Sequence, residues 1–315
     1  MTENPSISII VPVLNEEGSL DKFYNETTKS LNEYSNWEII FIDDGSDDES
    51  YNIMRKLADE DNRVSIIQFF KNFGKADALS EGFKQANGDV VITIDADLQD
   101  DPAEIPRLVA KIQEGWDVVS GWKKDRKDPA SKRIPSKLFN LVTRIFTGIK
   151  IHDFNCGLKA YRRKVVKAID VYGGLHRYIP ALAGQKGFSV TEIEVNHRPR
   201  EFGETKYGGN RFFHGFFDLF TMLFTSKYFN RPLHFFGFIG LFCILISTVC
   251  EVFPLYDKLG NGIPFQKHFA LIVFGAMVFV LGLWLFSIGL LAELFIKTSG
   301  KTEKRIYSVY SKNQD

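Results

Sequence analysis

The stretch Gly88–Pro102, GDVVITIDADLQDDP, reads as a buried strand that runs straight into a cluster of carboxylates. Residues 89–94, DVVITI, form a β-branched apolar run of strand length without polar alternation, as expected of a strand covered on both faces. It ends in Asp95-Ala96-Asp97-Leu98-Gln99, and in an extended chain Asp95, Asp97 and Gln99 point to one side. Two carboxylates and an amide oxygen are hard donors of the kind that Mg²⁺ or Mn²⁺ takes, commonly together with substrate phosphates. The alternative is an acidic strand-to-helix turn, in which Asp100 or Asp101 caps a helix that begins at Pro102.

Working outward, the same unit recurs. Residues 6–13 (SISIIVPV), 37–44 (WEIIFIDD), 64–70 (VSIIQFF) and 117–121 (DVVSG) have strand character. Between them lie helical patterns: one capped by Ser19 and running through Leu20, Phe23, Tyr24, Thr27 and Leu31, one through Ile53, Met54 and Leu57, one over Lys75–Gln85 and one after Pro102. Alternating strands and helices predict an α/β fold with a doubly wound, mostly parallel sheet, whose ligands bind at the carboxyl ends of the strands. The second strand ends in Asp43-Asp44-Gly45-Ser46, a further acidic strand end. Neither GxxxxGK[ST] nor a strand-borne GxGxxG is present, which argues against a P-loop enzyme or a dehydrogenase.

Composition separates the chain into two parts. Lys+Arg and Asp+Glu balance at 39 each over 315 residues, and up to Pro232 the counts are 32 and 34, so no nucleic-acid footprint is expected. Cys156, Cys243 and Cys250 have neither a disulfide framework nor metal-ligand spacing, consistent with a reducing compartment. The N-terminus lacks a basic start and reads as a first strand, which places the start of the chain in the cytoplasm. Of 29 phenylalanines, 18 fall from Phe212 onward, and Leu233–Ile296 carries five charged residues in 64. Two runs, 233–253 and 269–296, are long enough to cross a bilayer. The connector, with Pro254, Gly260, Gly262 and Pro264, is predicted to be non-helical. Lys227 and Arg231 precede the pair and Lys297, Lys301, Lys304 and Arg305 follow it, which predicts both termini on the cytoplasmic side. Two amphipathic stretches, Phe212/Phe213/Phe216/Phe217/Phe220/Leu223/Phe224 and Leu138/Leu141/Val142/Ile145/Phe146/Ile149, read as interfacial helices, or alternatively as core-facing ones.

VPVLNEE, IDDGSDD, NFGKADAL, GDVVITIDADLQDDP, DFNCGLKAYRR and REFGETKYG, in this order and followed by two apolar helices, resemble glycosyltransferase family 2 across essentially the whole chain. Within it the match is to the polyprenyl-phosphate glycosyltransferases, similar to dolichyl-phosphate mannose synthase and closer to bacterial undecaprenyl-phosphate sugar transferases. The resemblance implies a GT-A type cytoplasmic domain over 1–209 with an interfacial helix near 134–149. A juxtamembrane amphipathic helix over 210–231, a transmembrane hairpin over 232–297 and a cytoplasmic tail over 298–315 would follow. It implies inverting transfer of a single sugar, a hexose, from a nucleotide sugar to polyprenyl phosphate at the cytoplasmic face of a bacterial membrane, giving a lipid-linked donor for cell-envelope glycosylation. UDP-hexose, glucose first, is favoured over GDP-mannose, and a homo-oligomer is compatible.

Residue by residue, the nucleotide pocket maps to Pro12, Leu14, Glu16 and Asp44. Many relatives carry an aromatic residue at the Leu14 position. Asp95, Ala96, Asp97 and Gln99 match the metal-and-diphosphate motif, with Mg²⁺ or Mn²⁺ as cofactor, and Arg200, Thr205 and Lys206 match a segment that closes over the diphosphate. The alternative for Arg198, Arg200 and Lys206 is a solvated loop face. Asp153 matches the base or acceptor-positioning carboxylate; its alternatives are a helix cap or an ion pair with Arg162 or Arg163. Lys123, Lys132, Arg133 and Ser136 match the lipid-phosphate segment. Two other readings compete: a processive polysaccharide synthase, whose QxxRW motif and extra spans are absent, and a catalytically silent membrane scaffold.

Overall fold

A computed structural model of the chain describes residues 4–124, 130–199, 221, 224 and 231–298, with the backbone alone for 130–135. The chain divides into two compact units, Met1–Met222 and Leu223–Asp315.

In the first unit, β1 (Ile7–Val13), β2 (Trp37–Asp43), β3 (Val64–Gln68), β4 (Val90–Thr93), β5 (Val118–Trp122), β6 (Lys159–Arg162) and β7 (Val190–Glu194) form one sheet in the order β3-β2-β1-β4-β6-β5-β7. β1 lies parallel between β2 and β4, and β2 is parallel to β3. β6 is antiparallel to both β4 and β5, and β7 is parallel to β5. The expected strands are present, and β6 and β7 are additions. KAYR in β6 carries two cations in four residues, and VTEIE in β7 is a half-exposed alternating edge, so neither shows the buried apolar run of the others.

Helices α1 (Leu20–Ser30), α2 (Ser50–Glu60), α3 (Lys75–Gln85) and α4 (Ile105–Gln113) cover the sheet. Strand period assigns alternate residues to opposite faces: Ile9, Ile39, Phe41 and Ile92 pack with Phe23, Leu57 and Leu108, while Ile10, Ile40, Ile42 and Val91 pack with Leu79 and Phe83. Each such side chain, fully buried, contributes about 1.5–3 kcal/mol relative to exposure. Ser19 stands at the α1 N-cap position, but in helical backbone (φ −109°, ψ −24°), and its hydroxyl makes no cap bond. It donates instead to the Glu16 carbonyl at 3.0 Å. Asp101, in extended backbone, does cap, accepting from the Ala103 N–H at 3.0 Å.

Helix α5 (Ala130–Thr147) is amphipathic in an inverted sense. Asn140 and Thr143 are buried, whereas Leu138, Leu141, Ile145 and Phe146 are exposed, Ile145 by 68%. The core-facing alternative for this stripe does not hold within the first unit. The shorter helices α6 (Arg163–Ala168) and α7 (Ile179–Gln185) flank a 3₁₀ turn over Leu175–Tyr178.

The second unit is a hairpin of α8 (Pro232–Asn261) and α9 (Phe269–Thr298), each long and apolar enough to cross a membrane. Pro254 does not end the first of these. It lies buried inside α8, which continues to Asn261 and stops at Gly262 in left-handed backbone (φ +68°). A proline is accommodated in a long apolar helix when neighbouring groups satisfy the freed backbone. Glycines face each other across the pair: a β-carbon at Gly282 would lie 2.8 Å from the Gly240 carbonyl oxygen, and one at Gly240 would lie 2.7 Å from that of Gly282. Ser247 donates across the pair to the Gly275 carbonyl at 2.8 Å. The phenylalanine-rich stretch lies outside the described residues except for Phe224, whose ring meets those of Phe235 and Phe236.

Candidate active site

The ends of β1, β2 and β4 lie side by side, at the point where the chain order of the sheet reverses. Val13 pairs with Asp43, and the Asp44 N–H donates to the Val13 carbonyl at 2.8 Å, so Pro12 near the end of β1 and Leu14 and Glu16 just beyond it lie on chain adjoining Asp44. The two segments are tied to each other. Asn15, in left-handed backbone (φ +50°), exchanges hydrogen bonds with Asp47 and donates its N–H to Ser46 Oγ at 3.1 Å, and Glu16 N–H donates to Ser50 Oγ at 2.8 Å. The Asp44 carboxylate accepts from Phe73 N–H at 2.7 Å and from Gly74 N–H at 3.0 Å, fixing the entry to α3. Burial pushes its pKa up, against these two backbone bonds. Gly45 (φ +75°) lets the loop pass against the backbone of Lys71 and Asn72, where a β-carbon would collide at 2.5 Å.

The Asp95–Gln99 segment is not extended. β4 ends at Thr93, a turn follows at Ala96 and Asp97, and Leu98 is buried in left-handed backbone (φ +59°). A branched side chain in that region costs energy, and such strain concentrates at functional sites. The turn lets Gln99 N–H donate to Asp97 Oδ1 at 3.2 Å. Gln99 also accepts Arg198 N–H on its carbonyl at 2.9 Å, and Asp100 bridges His197. The Arg198 guanidinium spans Glu26 and Asp101. Arg198 is therefore a strut for this turn rather than part of a solvated loop face.

Around the turn lie lysines to which no role had been assigned from sequence. Lys75, at the start of α3, pairs with Asp95. Lys159, buried in β6, donates to the Cys156 carbonyl. Burial pushes the Asp95 carboxyl up, but Lys75, then Lys123 and Lys159, hold it below the ordinary range. Burial and the neighbouring Lys75 push Lys159 down, and burial raises the Cys156 thiol to about 12, leaving it unreactive. Lys123, expected at the lipid phosphate, has its ammonium paired with buried Asp100 at 2.7 Å, which raises its pKa despite burial. The physical reason is that Asp100 is 1% exposed and needs a counter-charge.

Gly157 completes the arrangement. A β-carbon there would lie 2.6 Å from Asp95 Oδ2 and 2.8 Å from Asp100 Oδ2, so the two carboxylates close over a residue without a side chain. Thr93 Oγ1 donates to the Gly157 carbonyl at 2.9 Å. Asp153 is buried nearby: its Oδ1 accepts Asn155 N–H at 3.0 Å, and its carbonyl accepts Ser120 Oγ at 3.2 Å. Lys159 feels the charge of both Asp153 and Asp95. The ion-pair alternative for Asp153 is excluded, because Arg162 pairs with Asp117 and Arg163 with Asp89. Asn140 of α5 accepts the Phe154 N–H at 3.3 Å, tying the exposed apolar helix and its Ser136 to the Asp153 segment. Lys132, Arg133, Arg200, Thr205 and Lys206 lie outside the described side chains.

The donor set fits a divalent cation held jointly with a ligand. Asp95 and Asp97 offer oxygens from one turn, Asp100 Oδ2 is buried without a hydrogen-bond partner, and no group of three or more acidic, histidine or cysteine ligands occurs among the described residues. Two carboxylates completed by substrate phosphates are a common Mg²⁺-type arrangement, whereas an all-protein cage is not formed here.

The model of glycosyl transferase family 2 matches residues 8–170. The chain belongs to glycosyl transferase family 2. As a member of that family it is a glycosyltransferase with a GT-A-like fold. It is 34% identical to dodecaprenyl-phosphate galacturonate synthase of Rhizobium johnstonii, over 93% of this chain and 88% of the relative. It is 36% identical to undecaprenyl-phosphate 4-deoxy-4-formamido-L-arabinose transferase of Pseudomonas aeruginosa, over 91% and 84%. Among solved structures, glucosyl-3-phosphoglycerate synthase of Mycobacterium tuberculosis, bound to Mn²⁺ and UDP-glucose, superposes with a TM-score of 0.54 at 18% identity. The superposition covers 70% of this chain and 79% of that one. At that identity the likeness concerns the fold.

Proposed function

We propose that the chain transfers one sugar, with inversion, from a nucleotide diphosphate sugar to polyprenyl phosphate at the cytoplasmic membrane surface. The observation that carries this reading is the shared cluster in which the Asp95–Asp97 turn and Asp153 act on the same buried lysine, joining a donor end to an acceptor end. The two relatives, matched through the apolar hairpin, are named for polyprenyl phosphates of this kind. UDP-hexose is the favoured donor, and the basic residues outside the hairpin favour both termini in the cytoplasm.

In this reading Pro12, Leu14, Glu16 and Asp44 receive the base, and Asp95, Ala96, Asp97 and Gln99 the diphosphate with Mg²⁺ or Mn²⁺. When bound, that cation would neutralise charge on the leaving diphosphate. Lys75 adds a cation on the same side, and Arg200 and Lys206 close over it. Asp153 positions the acceptor, with Ser136, Lys132 and Arg133 toward its phosphate, while Lys123 holds Asp100. A phosphate oxygen forms the new bond to the anomeric carbon as the carbon–oxygen bond to the diphosphate breaks, the electron pair leaving with the diphosphate. A phosphomonoester with a second pKa near ~6 is already ionised at neutral pH, so no proton need be removed. The exposed apolar face of α5 suits an enzyme whose acceptor stays in the bilayer.

The test is an assay of the purified full-length chain with Mg²⁺ or Mn²⁺, undecaprenyl phosphate and a panel of UDP- and GDP-sugars. A lipid carrying a single sugar through one phosphate is expected. Long polymer, or no product with any donor, would overturn the reading. Asp153→Asn should lower turnover more than donor affinity; the reverse pattern would remove Asp153 from the acceptor site.

A further inference from the structure

The 3₁₀ turn Leu175–Tyr178 carries two adjacent nitrogen-rich side chains that the site described above does not use. Arg177 Nε and His176 Nδ1 are both buried without a hydrogen-bond partner, and among the described residues no ion pair holds either side chain. Buried polar atoms are normally paired, and a half-buried guanidinium normally faces a carboxylate or a carbonyl. Two consecutive exceptions on one short turn call for a ligand.

The surroundings indicate which ligand. The turn packs on α3, whose first residue Lys75 pairs with Asp95. The Tyr178 ring meets that of Phe139 at 5.4 Å, in the α5 helix that also carries Ser136 and Asn140. His176 lies within electrostatic reach of Lys75, Lys159 and Asp95. The turn that carries the pair is thus in reach of the donor carboxylate Asp95 through His176 and in contact with α5 through Tyr178. The planar fork of arginine matches a phosphate bidentately. Burial, then Lys75, hold His176 at about 3, so near neutral pH it contributes one N–H and no charge. The donor diphosphate already has Lys75 and the acidic turn beside it. The uncommitted fork is left for the second phosphate that the reaction requires.

We propose that Arg177, with His176 beside it, binds the phosphomonoester of the acceptor and holds its attacking oxygen toward the donor. This rests on the reading of polyprenyl phosphate as acceptor, and it adds two residues that the motif match did not supply.

The test measures acceptor and donor kinetics separately on the full-length chain in detergent, for Arg177→Ala, Arg177→Lys and His176→Gln. Loss of a charge-assisted bidentate contact should raise the acceptor KM about 10-fold to 100-fold. The donor KM should stay within about two-fold, and Arg177→Lys should recover only part of the loss, because an ammonium lacks the fork. A merely structural role would shift both KM values together with the melting temperature. A rise confined to the donor KM would assign the pair to the diphosphate and overturn the proposal, as would an unchanged acceptor KM. A second measurement needs no turnover: calorimetric titration with farnesyl phosphate, against farnesol as the uncharged control. Phosphate-dependent binding by the wild type that Arg177→Ala abolishes supports the site even if no donor gives product, an outcome that would defeat only the proposed reaction. Equal binding by wild type and variant would overturn the site itself. Should Arg177→Ala fail to fold, Arg177→Lys and His176→Gln decide by the same two readouts.

Discussion

The two units of the chain place the same residue types in opposite positions. In the first, Phe23, Phe41 and Tyr161 are fully buried, and the polar groups gather at strand ends. In the hairpin, Phe238, Val249, Met277 and Phe295 are exposed, and apart from Pro232 and Pro254 the buried positions are Gly237, Gly240, Ser247, Gly275, Gly282 and Gly289. Water drives large apolar groups inward, whereas hydrocarbon offers them no such drive. Helices in a bilayer then meet through small residues that allow close backbone approach. Helix α5 belongs to the first unit yet follows the rule of the second, with Asn140 and Thr143 inward and Leu141 and Phe146 outward. An exposed apolar face therefore occurs in both units.

The largest effect expected from this contrast is purely chemical. Asp97→Asn should reduce turnover by about 1,000-fold or more, because a neutral amide is a poor substitute for an anionic ligand beside a diphosphate. Membrane insertion of the hairpin should be unchanged, as read by carbonate extraction. Turnover within about ten-fold of wild type would break the assignment of the acidic turn.

A pair of glycine substitutions gives the next effect. Gly157→Ala drives a β-carbon to 2.6 Å from Asp95 Oδ2, and Gly282→Ala drives one to 2.8 Å from the Gly240 carbonyl oxygen. Overpacking of this kind costs about 1–3 kcal/mol. In the first unit it should appear as a roughly 10-fold or greater loss of turnover, with the hairpin's melting unaffected. In the hairpin it should appear as a lower melting temperature in detergent, with turnover on a short-chain acceptor retained. If Gly157→Ala is silent in the assay, the two carboxylates do not need their present spacing.

How much of this was legible in the sequence depends on whether a residue acts through its neighbours in the chain or through the fold. The buried strands and the acidic strand ends announce themselves in runs such as residues 89–94, and so do the two apolar helices. The turn at Asp97 did not, because left-handed backbone at a leucine has no local signature. Nor did the ion pair of Lys123 with Asp100, or the cluster of Lys75 and Lys159, since strand order β4-β6-β5 brings together residues far apart in the chain. The lone lysine inside the otherwise apolar CGLKAY was the one signal available for Lys159. Pro254 misled for the opposite reason: its local rule is firm, but α8 overrides it.

The smallest expected effect lies at the rim of the first unit, where water still screens charge. Asp61 follows α2 and accepts from Arg63 N–H, Nε and Nη2, each at 2.9 Å, and from the Tyr24 hydroxyl at 2.7 Å. The Arg63 bonds, against some burial and with help from Tyr24, hold the Asp61 carboxyl at about 2, below its ordinary 3.8. A depressed carboxyl stabilises the fold fully above its unfolded pKa and loses that contribution as pH falls through the folded value. Asp61→Asn should therefore be less stable than wild type above about pH 4, and the gap should close between about pH 4 and pH 2. Arg63 is 54% exposed, so screening limits the gap to about 1 kcal/mol or less. Urea unfolding followed by tryptophan fluorescence is suited to it, because the Arg63 guanidinium lies 3.7 Å from the Trp37 ring centroid. The hairpin transition should not respond to the substitution at any pH. A gap that persists at pH 2 would mean that the Asp61 contacts act by shape rather than charge, and the rim would then follow the packing logic of the core.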